Sequence, residues 1–272
     1  MVSDEIVLER TRWRGGKRLR DGHTLYWWVE VLVVMAGNLV YESIRNANTT
    51  DVHLAYQNAL KIIDWQQALW LNHEQTWQRW ALEFEPLVIA GNYFYGSAYI
   101  LVTLFALVFL YRRFPDDYPF WRNTLFVGTF VGLVGFAAFP LMPPRLLSTM
   151  DPSWVFVDTL DQYPTFWSFN SEAMAKISNQ YAAMPSLHCG WAFWGCAVFL
   201  PRVRKRWAKV LAVAYPVVTV TVVVISANHF FLDAVGGAFI MVVGLAASTV
   251  FTRAGRPAPA LDPVVIDSTS GS

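Results

Sequence analysis

The sequence predicts an all-α polytopic membrane protein: a bundle of six transmembrane helices with interfacial helices on its outer face. Three observations predict it. The 272 residues are 55% hydrophobic and only 15% charged, against about 25% charged in an ordinary soluble domain. Six stretches reach the roughly 17–25 apolar residues that a spanning helix requires. Lysine and arginine are shared very unevenly among the segments between those stretches. This composition excludes a disordered chain, a disulfide-stapled secreted module and an ordinary soluble enzyme. The net charge of +1 gives no footprint for nucleic acid.

The spans run at about 25–44, 87–110, 121–142, 184–200, 210–227 and 231–251. The first follows an Arg-rich leader and lacks a small-residue cleavage pattern, so it reads as a retained signal anchor. Glu30 and Asn38 within it read as snorkelling or packing groups. Residues 55–84 carry Trp65, Trp70, Trp77 and Trp80 with Leu60, Ile63 and Leu71 among polar residues. That pattern fits either a helix lying at the headgroup level or a further element packed on the bundle. Residues 143–183 hold Trp154, Phe156, Tyr163, Phe166, Trp167 and Phe169 and are expected to fold over the outer surface. Cys189 and Cys196 share one apolar segment. Helical rise separates them by about 10 Å, too far for a disulfide. The fifth and sixth spans nearly touch, so Ala227–Phe230 must form a tight turn. Residues 1–254 read as one integral-membrane domain, and 255–272, rich in Pro, Ala, Ser and Thr, as a disordered cytoplasmic tail. There is no internal repeat.

Orientation follows from the cations. The leader, the segments after the second and fourth spans, and the tail hold 16 of the 21 Lys and Arg, leaving 5 for the remaining segments. The bias places both termini in the cytoplasm and the chain in the cytoplasmic membrane. Segments 45–86 and 143–183 and the turn near 228 then face outward.

Three polar clusters interrupt the apolar pattern: Pro143-Pro144-Arg145-Leu146, Met184-Pro185-Ser186-Leu187-His188, and the run from Ser226 to Gly237. The charge bias uses none of their histidines, yet it puts all three clusters at the same outer face. His188 falls in the first turn of a helix, with Pro185 suited to its first position. The free amides there, around Ser186 and Leu187, suit a phosphate. His229 and Asp233 are one helical turn apart and can hydrogen-bond, which fixes the imidazole tautomer and sharpens its other nitrogen. An aspartate near the start of a span costs on the order of 1–3 kcal/mol, and His229 is its evident partner. Arg145 suits bidentate phosphate binding. Gly236 and Gly237 allow a neighbouring helix to approach closely.

One arginine, two histidines and one aspartate at a membrane face describe phosphoryl chemistry. One imidazole attacks phosphorus, the carboxylate orients it, the other imidazole protonates the leaving oxygen, and Arg145 with helix-end amides holds the charge. The scheme needs no cofactor and no metal. Two other readings use the same residues. His188, His229 and Asp233 are also the donor set of a two-histidine, one-carboxylate metal centre; Arg145 and the helix-end amides would then serve no purpose. A transporter or assembly factor would place polar groups near the midplane of several helices, whereas these cluster at one end.

The residues resemble the type 2 phosphatidic acid phosphatase superfamily, whose members have six membrane helices and an extracytoplasmic site. The likeness is closest to the branch containing inositol phosphorylceramide synthases, which carries Met-Pro-Ser-Leu-His and then His-Tyr or His-Phe followed by Asp. Here these are Met184–His188 and His229–Asp233, followed by Gly236 and Gly237. The resemblance implies a histidine nucleophile at His229, its orienting partner at Asp233 and the leaving-group acid at His188. It further implies a lipid-linked phosphate substrate, with water or an alcohol as second substrate. The motifs span about 145–237. The chain departs from the better-known phosphatases in several places. Arg145 is followed by Leu146 rather than Pro, the position of their first-motif lysine is Ala138, and Val222 and Val223 stand where they have Ser-Arg. With two cations fewer, a dianionic monoester is held less well than a singly charged phosphodiester, which favours head-group transfer as a competitor to hydrolysis. Neither acceptor nor oligomeric state is encoded in a motif.

Overall fold

The computed structural model describes residues 16–47, 51–165 and 180–254. The leader before Gly16 and the tail after Ala254 therefore lie outside the described residues. So do Phe166, Trp167 and Phe169 of the second outer segment. A short hairpin comes first, β1 (Gly16–Arg18) antiparallel to β2 (Thr24–Tyr26). Helices follow: α1 (Trp27–Ala47), α2 (Val52–Ala68), α3 (Glu74–Leu82), α4 (Glu85–Arg113) and α5 (Tyr118–Ala138). A 3₁₀ turn at Pro144–Thr149 and the single-turn α6 (Thr159–Gln162) precede α7 (Leu187–Phe199), α8 (Arg206–Ile225) and α9 (Phe231–Ala254).

Among the described residues, four helices are long and apolar enough to cross a membrane: Glu85–Arg113, Tyr118–Ala138, Arg206–Ile225 and Phe231–Val250. They mark the chain as a membrane protein. α7 is apolar but only 13 residues long, and α1 has 21 residues. Several ends differ from the sequence expectation for local reasons. The third span was expected to reach 142, but α5 stops at Ala138 because Phe139 precedes Pro140, and a residue before proline is driven out of the helical region. α7 begins at Leu187 with Ser186 as its N-cap, so Pro185 stands before the cap and not at the first helical position. The stretch 55–84 breaks into α2 and α3, separated by Trp70 at a left-handed φ of 57°.

α7 lies in the middle of the bundle, packed against α4, α5, α8 and α9. Trp194 on α7 is buried, and its indole donates to the Trp121 carbonyl of α5 (3.0 Å). The α7–α9 contact is backbone to backbone. A Cβ on Gly237 would lie 2.4 Å from the Ser186 carbonyl oxygen and 2.9 Å from the Gly190 nitrogen, so only glycine lets the two helices meet there. α9 approaches α5 in the same way at Gly244, where a Cβ would fall 2.4 Å from the Thr124 carbonyl oxygen. Both cysteines are free thiols.

The two ends of the bundle differ in chemistry. At one end Glu30 of α1 pairs with Arg122 of α5, Arg202 pairs with Asp117 (2.7 Å), and Lys17 donates to the Arg112 carbonyl (2.8 Å). The three polar clusters gather at the other end, where α5 and α8 finish and α7 and α9 begin.

Candidate active site

The turn joining α8 to α9 holds the central histidine. α8 ends at Ile225, Ala227 takes a left-handed φ of 53°, and α9 starts at Phe231. His229 sits just before that start, 5% exposed, with Asp233 fully buried one turn on. Its Nδ1 lies 2.9 Å from the Ala183 carbonyl oxygen and 3.2 Å from Asp233 Oδ2. Both neighbours are acceptors, so Nδ1 carries the proton and Nε2 keeps a free lone pair. Burial pushes the imidazole pKa down to about 4, and the nearby Arg145 charge adds to that, against the Ala183 contact. The ring is neutral at physiological pH.

Asp233 has two jobs. Its Oδ2 also accepts the Phe230 N–H (2.9 Å), the reach-back of a helix-capping carboxylate at the third helical position. The helix start therefore holds the carboxylate in place, and the carboxylate holds the ring.

Backbone hydrogen bonds tie the three clusters together. The Arg145 amide donates to the Ala227 carbonyl (2.9 Å), and the Ser186 amide donates to the Asp233 carbonyl (2.9 Å). His188 and His229 stand 5.8 Å apart between ring centroids. Thus Arg145, Ser186, Leu187, His188, His229 and Asp233 form one constellation. Ser186 is buried, and its Oγ accepts the Cys189 N–H (3.3 Å), which makes its side chain a cap for α7. The amides of Leu187 and His188 belong to the first turn, where an α-helix has no internal acceptor to offer.

Five further residues shape this constellation and were not singled out by sequence. Asp158 accepts from Arg145 Nη1 (2.6 Å), while its other oxygen caps α6 through the Leu160 N–H (3.1 Å). Arg145 Nε, by contrast, is buried with no partner among the described residues. Tyr95 and Tyr99 of α4 flank the His188 ring, one stacked at 4.3 Å and one edge-on at 4.5 Å. Gln66 of α2 and Glu74 of α3 are buried against the start of α9. In the sequence, Gln66 and Glu74 are two of the polar residues scattered among the tryptophans of 55–84. Asp158 was hidden among aromatic residues. Their shared signal is a polar side chain inside an otherwise apolar outer segment.

The model of the PAP2 superfamily, the type 2 phosphatidic acid phosphatases, matches residues 60–247, more than half of the chain. The chain belongs to the PAP2 superfamily. No curated protein and no solved structure matches it. The PAP2 match runs from α2 to α9 and takes in all three clusters. Enzymes of the PAP2 superfamily are generally phosphatases, and membership suggests a phosphatase or phosphotransferase acting on lipid phosphates.

Proposed function

We propose that this protein is a metal-independent lipid-phosphate phosphatase or phosphotransferase that works through a phosphohistidine on His229. The observation that carries the reading is the His229 environment, where two acceptors on Nδ1 leave Nε2 as a neutral nucleophile at the membrane face. In the first step Nε2 attacks phosphorus. The P–N bond forms, the P–O bond to the leaving group breaks, and His188 gives that oxygen its proton. In the second step water or an alcohol loses a proton to His188 and attacks phosphorus, breaking the P–N bond. Arg145, through its Nε, and the Leu187 and His188 amides of the first turn of α7 hold the phosphoryl oxygens, while the Ser186 amide donates to the Asp233 carbonyl and the Ser186 side chain caps that turn.

The single arginine of the cluster, shared with Asp158, favours a singly charged phosphodiester over a dianion. That supports head-group transfer of the inositol-phosphate type, as in the synthase-like branch of the superfamily, alongside hydrolysis. An apolar groove of about 340 Å³ lined by Trp77, Phe193, Pro216 and Val217 fits a lipid-tailed substrate. One of its lining residues, Trp77, meets Phe231 edge-on at 5.2 Å, two residues from His229. We read α1 and α7 as the two further spans of a six-span bundle, with α2 and α3 lying at the interface. Their exposed Trp65, Trp77 and Trp80, with Trp70 in the break between them, suit the headgroup level. The cation bias then puts the site outside the cytoplasmic membrane and both termini within the cell.

The test uses purified protein with EDTA and separate phosphatidic acid, polyprenyl pyrophosphate and phosphatidylinositol donors, with His229→Ala as control. Free phosphate from the wild type alone identifies a phosphatase. A head group moved to an added alcohol without free phosphate identifies a transferase. Turnover lost to EDTA and restored by a divalent metal, or equal turnover by His229→Ala, refutes the mechanism.

A further inference from the structure

The start of α9 needs acceptors that its own helix supplies only in part. The first four N–H groups of any α-helix lack internal partners, and here they directly follow His229 and carry Asp233. Asp233 serves the Phe230 amide, and the Asp233 amide turns back to the Phe230 carbonyl (3.1 Å). The remaining two are served from far away in sequence. Phe231 N–H donates to Glu74 Oε1 (3.0 Å), and Leu232 N–H donates to Gln66 Oε1 (3.0 Å). Gln66 Nε2 in turn donates to Glu74 Oε1 (2.6 Å), locking the two acceptors together. Gln66 is 0% and Glu74 1% exposed, so water cannot replace either one. Trp77, one turn after Glu74 on α3, packs its ring on Phe231. α2 and α3 thus grip Phe231 and Leu232, two of the three residues between the histidine and the aspartate.

From this geometry we infer that Glu74, with Gln66, is a positioning residue for the His229–Asp233 pair, acting from α2 and α3 through the amides that start α9. The inference rests on the catalytic reading of His229 for its consequence but not for its geometry. The Glu74 hydrogen bonds go to the Phe231 amide and to Gln66, not to the imidazole. Without it, the Phe231 amide is left buried and unpaired, the first turn of α9 must shift to find an acceptor, and Asp233 Oδ2 moves with it. A displacement of about 1 Å at such a remove from the chemistry costs on the order of 100-fold in rate. The carboxyl is also pushed towards its neutral form by burial, with the Phe231 amide and Gln66 pulling the other way. A glutamine at this position therefore keeps both shape and acceptor.

The experiment combines kinetics with a signature that needs no substrate. Full-length protein labelled with ¹⁵N-histidine gives a downfield Nδ1–H signal for His229, assigned by its loss in His229→Ala. Glu74→Ala is expected to shift or broaden that signal and to lower kcat by about 100-fold with KM unchanged. Glu74→Gln is expected to restore both, and Gln66→Met to fall between. If Glu74→Ala keeps the wild-type signal and kcat, or if Glu74→Gln fails as badly as Glu74→Ala, the inference is overturned. Failure of the catalytic reading looks different: His229→Ala then turns over like wild type, while the imidazole signal still judges the grip of Glu74 on α9.

Discussion

The two ends of this bundle both pair arginine with a carboxylate, and they differ in what they leave unpaired. At the end away from the site, Glu30 meets Arg122 and Arg202 meets Asp117, so each carboxylate is neutralised by a guanidinium. At the site end, Asp233 faces a neutral imidazole and keeps Oδ1 without a partner. Like it, Arg145 Nε and Glu74 Oε2 have no partner among the described residues, and all three atoms are buried. Leaving buried polar atoms unpaired costs about 1–3 kcal/mol each. The site end also closes one ion pair, Arg145 with Asp158 at 2.6 Å, yet leaves Arg145 Nε open, and the proposed function uses that atom for the phosphate. On the proposed function, the first end serves stability and the second serves the substrate phosphate.

Substitutions at the two ends sharpen that contrast. The largest effect is expected from His229→Ala, a loss of at least about 10⁴-fold in turnover with the folded state retained, followed by phosphorus-product analysis. Asp233→Asn comes next, on the order of 10³-fold in kcat, because the amide cannot hold the Nδ1–H tautomer as the carboxylate does. Arg145→Ala is expected to lower kcat/KM by about 100-fold. Asp158→Ala, which frees the guanidinium without removing it, is expected to cost about a tenth of that on the same assay. At the opposite end the readout changes. Arg122→Leu strands the Glu30 carboxylate and is expected to cost about 3 kcal/mol of stability, seen in thermal melts, with turnover per folded molecule unchanged. Equal activity losses from Arg122→Leu and Arg145→Ala would erase the distinction.

The pH response adds a finer test. His229 is held neutral by burial, with its pKa brought from 6.5 to about 4. Between those values the unfolded chain binds the proton and the folded chain does not, so stability falls as pH is lowered from about 6.5 towards about 4. The acidic limb of kcat/KM due to His229 is correspondingly expected near 4 rather than near 6.5. A His229 limb near 6.5 would mean that the imidazole is solvated.

Much of this architecture was legible in the sequence because bilayers demand long apolar runs and because helix ends carry chemical marks. The turn at Ala227–Phe230, the His229–Asp233 pairing and the close approach at Gly237 were all readable from spacing. The grouping of the three clusters was readable from the cation bias. Other features depend on partners far away in the chain. Nothing local to Asp158 says that it reaches Arg145. Gln66 and Glu74 are polar residues on an amphipathic pattern, and only the fold shows them turned inward onto α9. The break at Trp70 was hidden because tryptophan gives no sign of a left-handed backbone, and the stop at Ala138 was overrun because the apolar run continues past Pro140.

The most direct measurement is to quench the reacting enzyme at alkaline pH, where phosphoramidates survive, and locate the adduct by peptide mass spectrometry. The mechanism predicts a phosphorus adduct on His229 in wild type and none in His229→Ala. Its mass will separate a bare phosphoryl group from a phosphoryl head group. An adduct on another residue, or turnover with no adduct on His229 under conditions where its breakdown is blocked, would contradict the central claim.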